Sequence, residues 1–105
     1  MAPNDLIFIE WEEDINPTEE NIRQILKSEG YSVFKWSNDP NDYFSPHSHD
    51  YLQIFYVIEG SLTIRSVDDD ITYEVNPGDR VEVRPGLIHE ATIGPNGVVC
   101  LETQQ

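Results

Sequence analysis

A chain of 105 residues holds one domain, and at that length it can bury roughly two-thirds of the surface its unfolded form exposes. Twenty acidic residues against six basic ones give a net charge of −14, which repels phosphate backbones and anionic membrane surfaces and argues against nucleic acid or membrane as a partner. No apolar run approaches the length of a membrane span, no basic segment precedes the short apolar run near the amino terminus, and Cys100 is the only cysteine, so a cytoplasmic protein without intramolecular disulfides is expected.

The segment from Asp5 to Trp11 contains Leu6, Ile7, Phe8 and Ile9, a β-prone run expected to pair at a sheet edge or with a partner subunit. Helix signals follow. Asn16 is placed as N-cap, Pro17 suits the first helical position, Glu19 stands where a capping box needs it, and Ile22, Ile25 and Leu26 form one apolar stripe. Gly30 ends the helix, which the pattern therefore places over Pro17 to Glu29 as a structural flank. Residues 1–30 then form a strand and flanking helix belonging to the same domain as residues 31–105.

From Tyr31 onward short strands alternate with turn residues. Strands are expected over Tyr31 to Trp36, Tyr51 to Ile58, Ser61 to Ser66, Ile71 to Val75, Arg80 to Arg84, His89 to Ile93 and Val98 to Leu101. The joints between them are Glu59-Gly60, Asp68 to Asp70, Asn76-Pro77-Gly78, Pro85-Gly86 and Gly94 to Gly97. This is an all-β pattern of seven to nine antiparallel strands, a number that closes into a small barrel. Cys100 reads as a small buried hydrophobe in the last of them.

The stretch Pro46 to Gly60, PHSHDYLQIFYVIEG, concentrates the chemistry. Read as one strand, it turns the odd-numbered His47, His49 and Gln53 to one side, and the turn and strand before His89 can return that histidine to the same place. All three histidines of the chain are then used together as candidate metal ligands. Tyr51 and Phe55 share their parity and are weak candidates for ligand contact. From Leu52 to Ile58 the opposite face is apolar as well, so it needs a cover, either the helix or a second subunit, and a homodimer is expected.

The spacing of His47, His49, Gln53 and Gly60, followed by Pro77-Gly78-Asp79, Pro85-Gly86 and His89, resembles the two motifs of the cupin superfamily. The resemblance spans about residues 46 to 93. It implies a jelly-roll β-barrel, often dimeric, around one divalent metal held by His47, His49 and His89, with Gln53 in the position usually held by glutamate. Arg84 stands where proline is usual before the second Pro-Gly, a change expected to alter only a loop surface. Gln53 matters more, because three imidazoles and an amide leave the metal's charge uncompensated. Affinity should fall, Lewis acidity should rise, and Gln53→Glu should tighten binding.

Neutral ligation suits zinc, iron, nickel or copper better than magnesium or calcium, and manganese stands as a further candidate. The function expected from the resemblance is a metal-dependent oxygenase, isomerase or lyase acting on a small molecule. The alternative is a non-catalytic module that binds or senses a small ligand and acts through a protein partner. Fold alone does not choose between them.

Overall fold

The computed structural model describes residues 6–105. Seven strands form one antiparallel set: β1 Leu6–Ile9, β2 Phe34–Asn38, β3 Tyr43–His47, β4 Gln53–Ser66, β5 Ile71–Val75, β6 Arg80–Val83 and β7 His89–Gln104. Among the described residues a single helix, α1 Glu19–Ser28, lies between β1 and β2. The pairing path runs β1-β6-β4-β7-β2, with β3 on β7 and β5 on β4, and it remains open at β1 and β2.

Two long strands build both halves. The first part of β4 pairs with β6 and with the end of β7, as in Phe55 opposite Val81 and Glu102. Its second part pairs with β5 and with the start of β7, as in Ile64 opposite Tyr73 and Ala91. The result is one sheet of order β1-β6-β4-β7-β2 and another of order β5-β4-β7-β3, joined where β4 and β7 cross from one to the other. Register shifts at Val57/Glu59 and Gly60/Leu62 mark the crossing. Bulges of this kind bend a strand and move its side chains to the opposite parity. Phe55 and Val57 therefore join the core before the crossing, and Leu62 and Ile64 join the same core after it. Cys100 is fully buried there, as its sequence context predicts, and burial pushes its thiol well above the ordinary range.

This continuity corrects three expectations. Glu59-Gly60 is not a link between two strands, and Gly94 to Gly97 is not a loop, because β4 and β7 run through both. His47, His49 and Gln53 do not share a strand: β3 ends at His47 and β4 begins at Gln53, with His49 between them. β2 also begins three residues later than Tyr31. The joint itself demands glycine, since Gly60 has φ 74° and a Cβ there would fall on the carbonyl of Gly97.

The helix covers the outer face of the first sheet. Ile22 and Leu26 pack with Ile54, Tyr56 and Leu101, so the apolar outward face of β4 is covered within the chain. Complete burial of Ile22 and Leu26 contributes about 1.5–3 kcal/mol each, which matters because a ten-residue helix is marginal alone. Its N-cap is Thr18, whose side chain accepts from the Asn21 amide, and Pro17 lies outside the helix, in place of the expected Asn16 cap. The carboxyl end closes as a Schellman motif: Tyr31 N donates to Leu26 O, Gly30 N donates to Lys27 O, and Gly30 has φ 87°. Arg80 fastens this end, donating to both oxygens of Glu29 at 2.9 Å and to the Tyr56 hydroxyl at 3.0 Å. Among the described residues no helix is long and apolar enough to cross a membrane.

A candidate metal centre between two sheets

The histidines meet although the single-strand argument for them fails. His47, the last residue of β3, pairs directly with His89, the first of β7, and their ring centroids are 4.4 Å apart. The chain then leaves the sheet, and His49 reaches the other two from the loop, at 4.9 Å from His89 and 5.9 Å from His47. The loop is held by Gly86 N, which donates to His49 O at 2.8 Å, and by Tyr51, whose ring stacks on His49 at 4.2 Å. Pro85-Gly86 thus supports the histidine loop directly. Pro77-Gly78-Asp79 acts farther away: the buried Asp79 carboxylate accepts from Asn76 N and Trp11 N, closing the turn and tying down the segment before the helix.

The three histidines together can hold a metal ion, since one potential ligand atom from each lies within 4.8 Å of the others. Their hydrogen bonds fit that use. Nδ1 of His47 faces Ser45 O at 2.8 Å and Nδ1 of His89 faces Leu87 O at 2.9 Å. A carbonyl only accepts, so both Nδ1 atoms carry a proton, and in the neutral rings both Nε2 atoms keep the lone pair a metal needs. In His49 the buried Nδ1 has no hydrogen-bond partner among the described residues. A buried, unpartnered imidazole nitrogen is costly unless something fills the position, and a cation beside two further imidazoles does so. Burial lowers the pKa of His89, its neighbours His47 and His49 lower it further, and the Leu87 carbonyl works in the opposite direction; the net effect favours the neutral, ligating form.

Gln53 stands on the facing sheet, at the start of β4, and lines the same cavity as His47 and His89. The cavity has a volume of about 360 Å³, and much of its wall is aromatic or aliphatic, including Phe34, Trp36, Phe55 and Ile64. Phe55 is thus placed in the wall, where Trp36 meets it edge-on at 6.3 Å. Tyr51 is not among the lining residues; it backs His49, and desolvation, with the nearby Glu102 and Asp50 charges, raises its pKa. Arg84 is exposed, consistent with a role limited to the loop surface.

Wall residues such as Phe34, Trp36 and Ile64 are not among the sequence-based candidates, and neither is Glu102, the one carboxylate among the described residues that lines the cavity. Glu102 is 3% exposed, and its carboxylate accepts from Trp36 Nε1 at 2.9 Å, Gln53 Nε2 at 2.8 Å and Gln104 Nε2 at 2.8 Å. The signal available was the alternation Val98, Cys100, Glu102, which continues one step past the expected strand end at Leu101.

Comparison with known proteins agrees with this architecture. The model of the Cupin domain family matches residues 34–100. A search of curated proteins finds no match. Among solved structures, an RmlC-like cupin from Shewanella frigidimarina is 26% identical with a TM-score of 0.60, over 69% of this chain and 62% of that one. The polyketide cyclase RemF from Streptomyces resistomycificus is 28% identical with a TM-score of 0.63, over 70% of this chain and 53% of that one. The DMSP lyase DddQ from Ruegeria pomeroyi shares the fold at 16% identity, with a TM-score of 0.63 over 70% of this chain and 36% of that one. The match thus covers less than two-thirds of each of these proteins. With a family model matched over more than half its length and both spaced motifs assembled around one histidine cluster, the chain belongs to the cupin family.

Proposed function

We propose that the protein is a metal-dependent cupin enzyme that binds one divalent metal through His47, His49 and His89, with Gln53 completing the set, and acts on a small, largely apolar molecule. The observation that carries this reading is the unpartnered Nδ1 of His49 beside two imidazoles whose proton positions are already fixed. On the same reading the two facing sheets are the jelly-roll barrel of the family, and the cavity between them is the substrate site.

A metal bound there supplies a Lewis acid able to polarise a substrate oxygen. The chain's own residues do the rest. Aromatic walls at Phe34, Trp36 and Phe55 desolvate and orient the apolar part of the substrate, and the histidine side of the cavity faces its polar end. Oxygenase, isomerase and lyase chemistry all fit this division. The 28% identity to RemF, a polyketide cyclase, supports an enzyme over an inert scaffold.

A second reading, a non-catalytic ligand-binding module, is favoured by one observation: the carboxylate in the cavity is already engaged by three donors, and an amide replaces the usual glutamate, so no spare base lines the site. The decisive experiment is elemental analysis of the purified protein, followed by thermal melts with and without chelator for the parent and His49→Ala. One metal per chain, lost in His49→Ala together with the chelator-sensitive part of the melting temperature, is expected. Metal-free protein whose melt ignores both zinc and chelator would refute the metal site.

A further inference from the structure

Gln53 leaves the histidine cluster without a charged ligand, yet a carboxylate lies one hydrogen bond behind it. The Gln53 side chain reaches Glu102 at 2.8 Å, and the same Glu102 oxygen also accepts from Trp36 Nε1. An indole N–H can only donate and a carboxylate can only accept, so Gln53 must turn its NH2 group toward Glu102. The orientation of the amide is thereby fixed by chemistry, and its Oε1 is the end left for a ligand. Glu102 is itself immobilised, buried and held by three donors from β2, β4 and β7.

We infer that Glu102 is a positioning residue for metal binding, orienting the Gln53 amide and supplying through it the negative charge that the ligand set lacks. The arrangement parallels metal-bound histidines whose remote N–H donates to a carboxylate, which fixes the ring and raises its basicity. Here an amide takes the place of the ring. A carboxylate bonded to the NH2 group draws its hydrogens and increases electron density on the carbonyl oxygen, so part of the Glu102 charge reaches the metal without contact. The sequence-based expectation for Gln53→Glu changes accordingly. With Glu102 in place, that substitution sets two carboxylates at hydrogen-bond distance with no donor between them, and like charges so close oppose the gain.

This inference rests on the proposed metal site, and the test separates the two. Zn2+ is titrated by calorimetry into the chelator-stripped full chain, for the parent, Glu102→Gln, Gln53→Glu, Trp36→Phe and the exchange Gln53→Glu/Glu102→Gln made together with Trp36→Phe, with a thermal melt of each apo protein. Glu102→Gln should bind Zn2+ about tenfold to a hundredfold more weakly than the parent, the range usual for loss of a ligand's supporting partner. Gln53→Glu should gain little, and the exchange should bind at least as tightly as Trp36→Phe, because without the indole N–H the amide at position 102 can turn its NH2 group toward the carboxylate at position 53, with the charge moved onto the ligand. That rescue separates positioning from a merely structural role, since it is read in affinity at matched apo stability. Should Glu102→Gln fail to fold, the exchange against Trp36→Phe carries the comparison. Unchanged affinity in Glu102→Gln, or full tightening by Gln53→Glu alone, would overturn the relay while leaving the metal site standing. A parent that takes up no Zn2+ overturns both.

Discussion

Replacing Gly60 by alanine tests whether the crossing of β4 between the sheets depends on close backbone approach. Three glycines form an internally controlled series, because all have positive φ and differ in what a Cβ would meet. Gly30, at φ 87°, has nothing within 4 Å, so Gly30→Ala carries only left-handed strain of about 1–2 kcal/mol, partly offset by about 0.4–1 kcal/mol from a less flexible unfolded chain. Gly97, at φ 77°, adds a tight approach of 3.1 Å to Asn38 O. At Gly60 the new Cβ would coincide with the Gly97 carbonyl, which belongs to the paired strand and cannot rotate away. Overpacking of that kind adds about 1–3 kcal/mol, for a total near 3 kcal/mol. Urea unfolding should therefore rank the losses Gly30→Ala, Gly97→Ala, Gly60→Ala from smallest to largest. At about 4–8 °C per kcal/mol for a domain of this size, the last should melt roughly 15 °C below the parent. A Gly60→Ala protein no less stable than Gly30→Ala would refute the reasoning.

Arg80→Ala should loosen the end of the helix, since the arginine is 12% exposed and holds Glu29 and Glu82 at 2.9 Å; a loss of about 2 kcal/mol in urea unfolding is expected, smaller at the half-exposed Glu29 end. Unchanged stability in Arg80→Ala would show that packing of Ile22 and Leu26 alone docks the helix. The depressed pKa of buried His89 also predicts a pH dependence in chelator-treated protein. Below about pH 6.5 the unfolded state binds a proton that the folded state does not, so stability falls with pH, by at most about 1.4 kcal/mol per unit, until the folded histidine also titrates. His89→Gln should flatten that part of the profile, and an identical slope in both proteins would show that other groups cause it.

The sequence made the histidine cluster legible for a partly mistaken reason. His47 and His89 do face each other across paired strands, but His49 arrives from a loop, so period-two parity described its position without causing it. The helix was legible because Ile22, Ile25, Leu26 and Gly30 are local signals, although its cap is Thr18, two residues after the Asn16 that the sequence favours. The two register shifts between β4 and β7 were not legible, because each depends on a partner strand about forty residues away in sequence. Glu102 was hidden for the same reason. Its partners Trp36 and Gln53 come from different strands, and only the register of β7 against β2 and β4 puts three donors on one carboxylate.

Because β4 and β7 each run through both sheets, neither sheet can come apart without breaking strands that the other needs. The two halves should open as one cooperative unit, and slow amide exchange should be shared by residues on either side of Gly60 instead of dividing there. The site inherits that property. His89 and Glu102 lie toward opposite ends of the same strand, on facing sheets, so the gap across the cavity is spanned by one continuous strand.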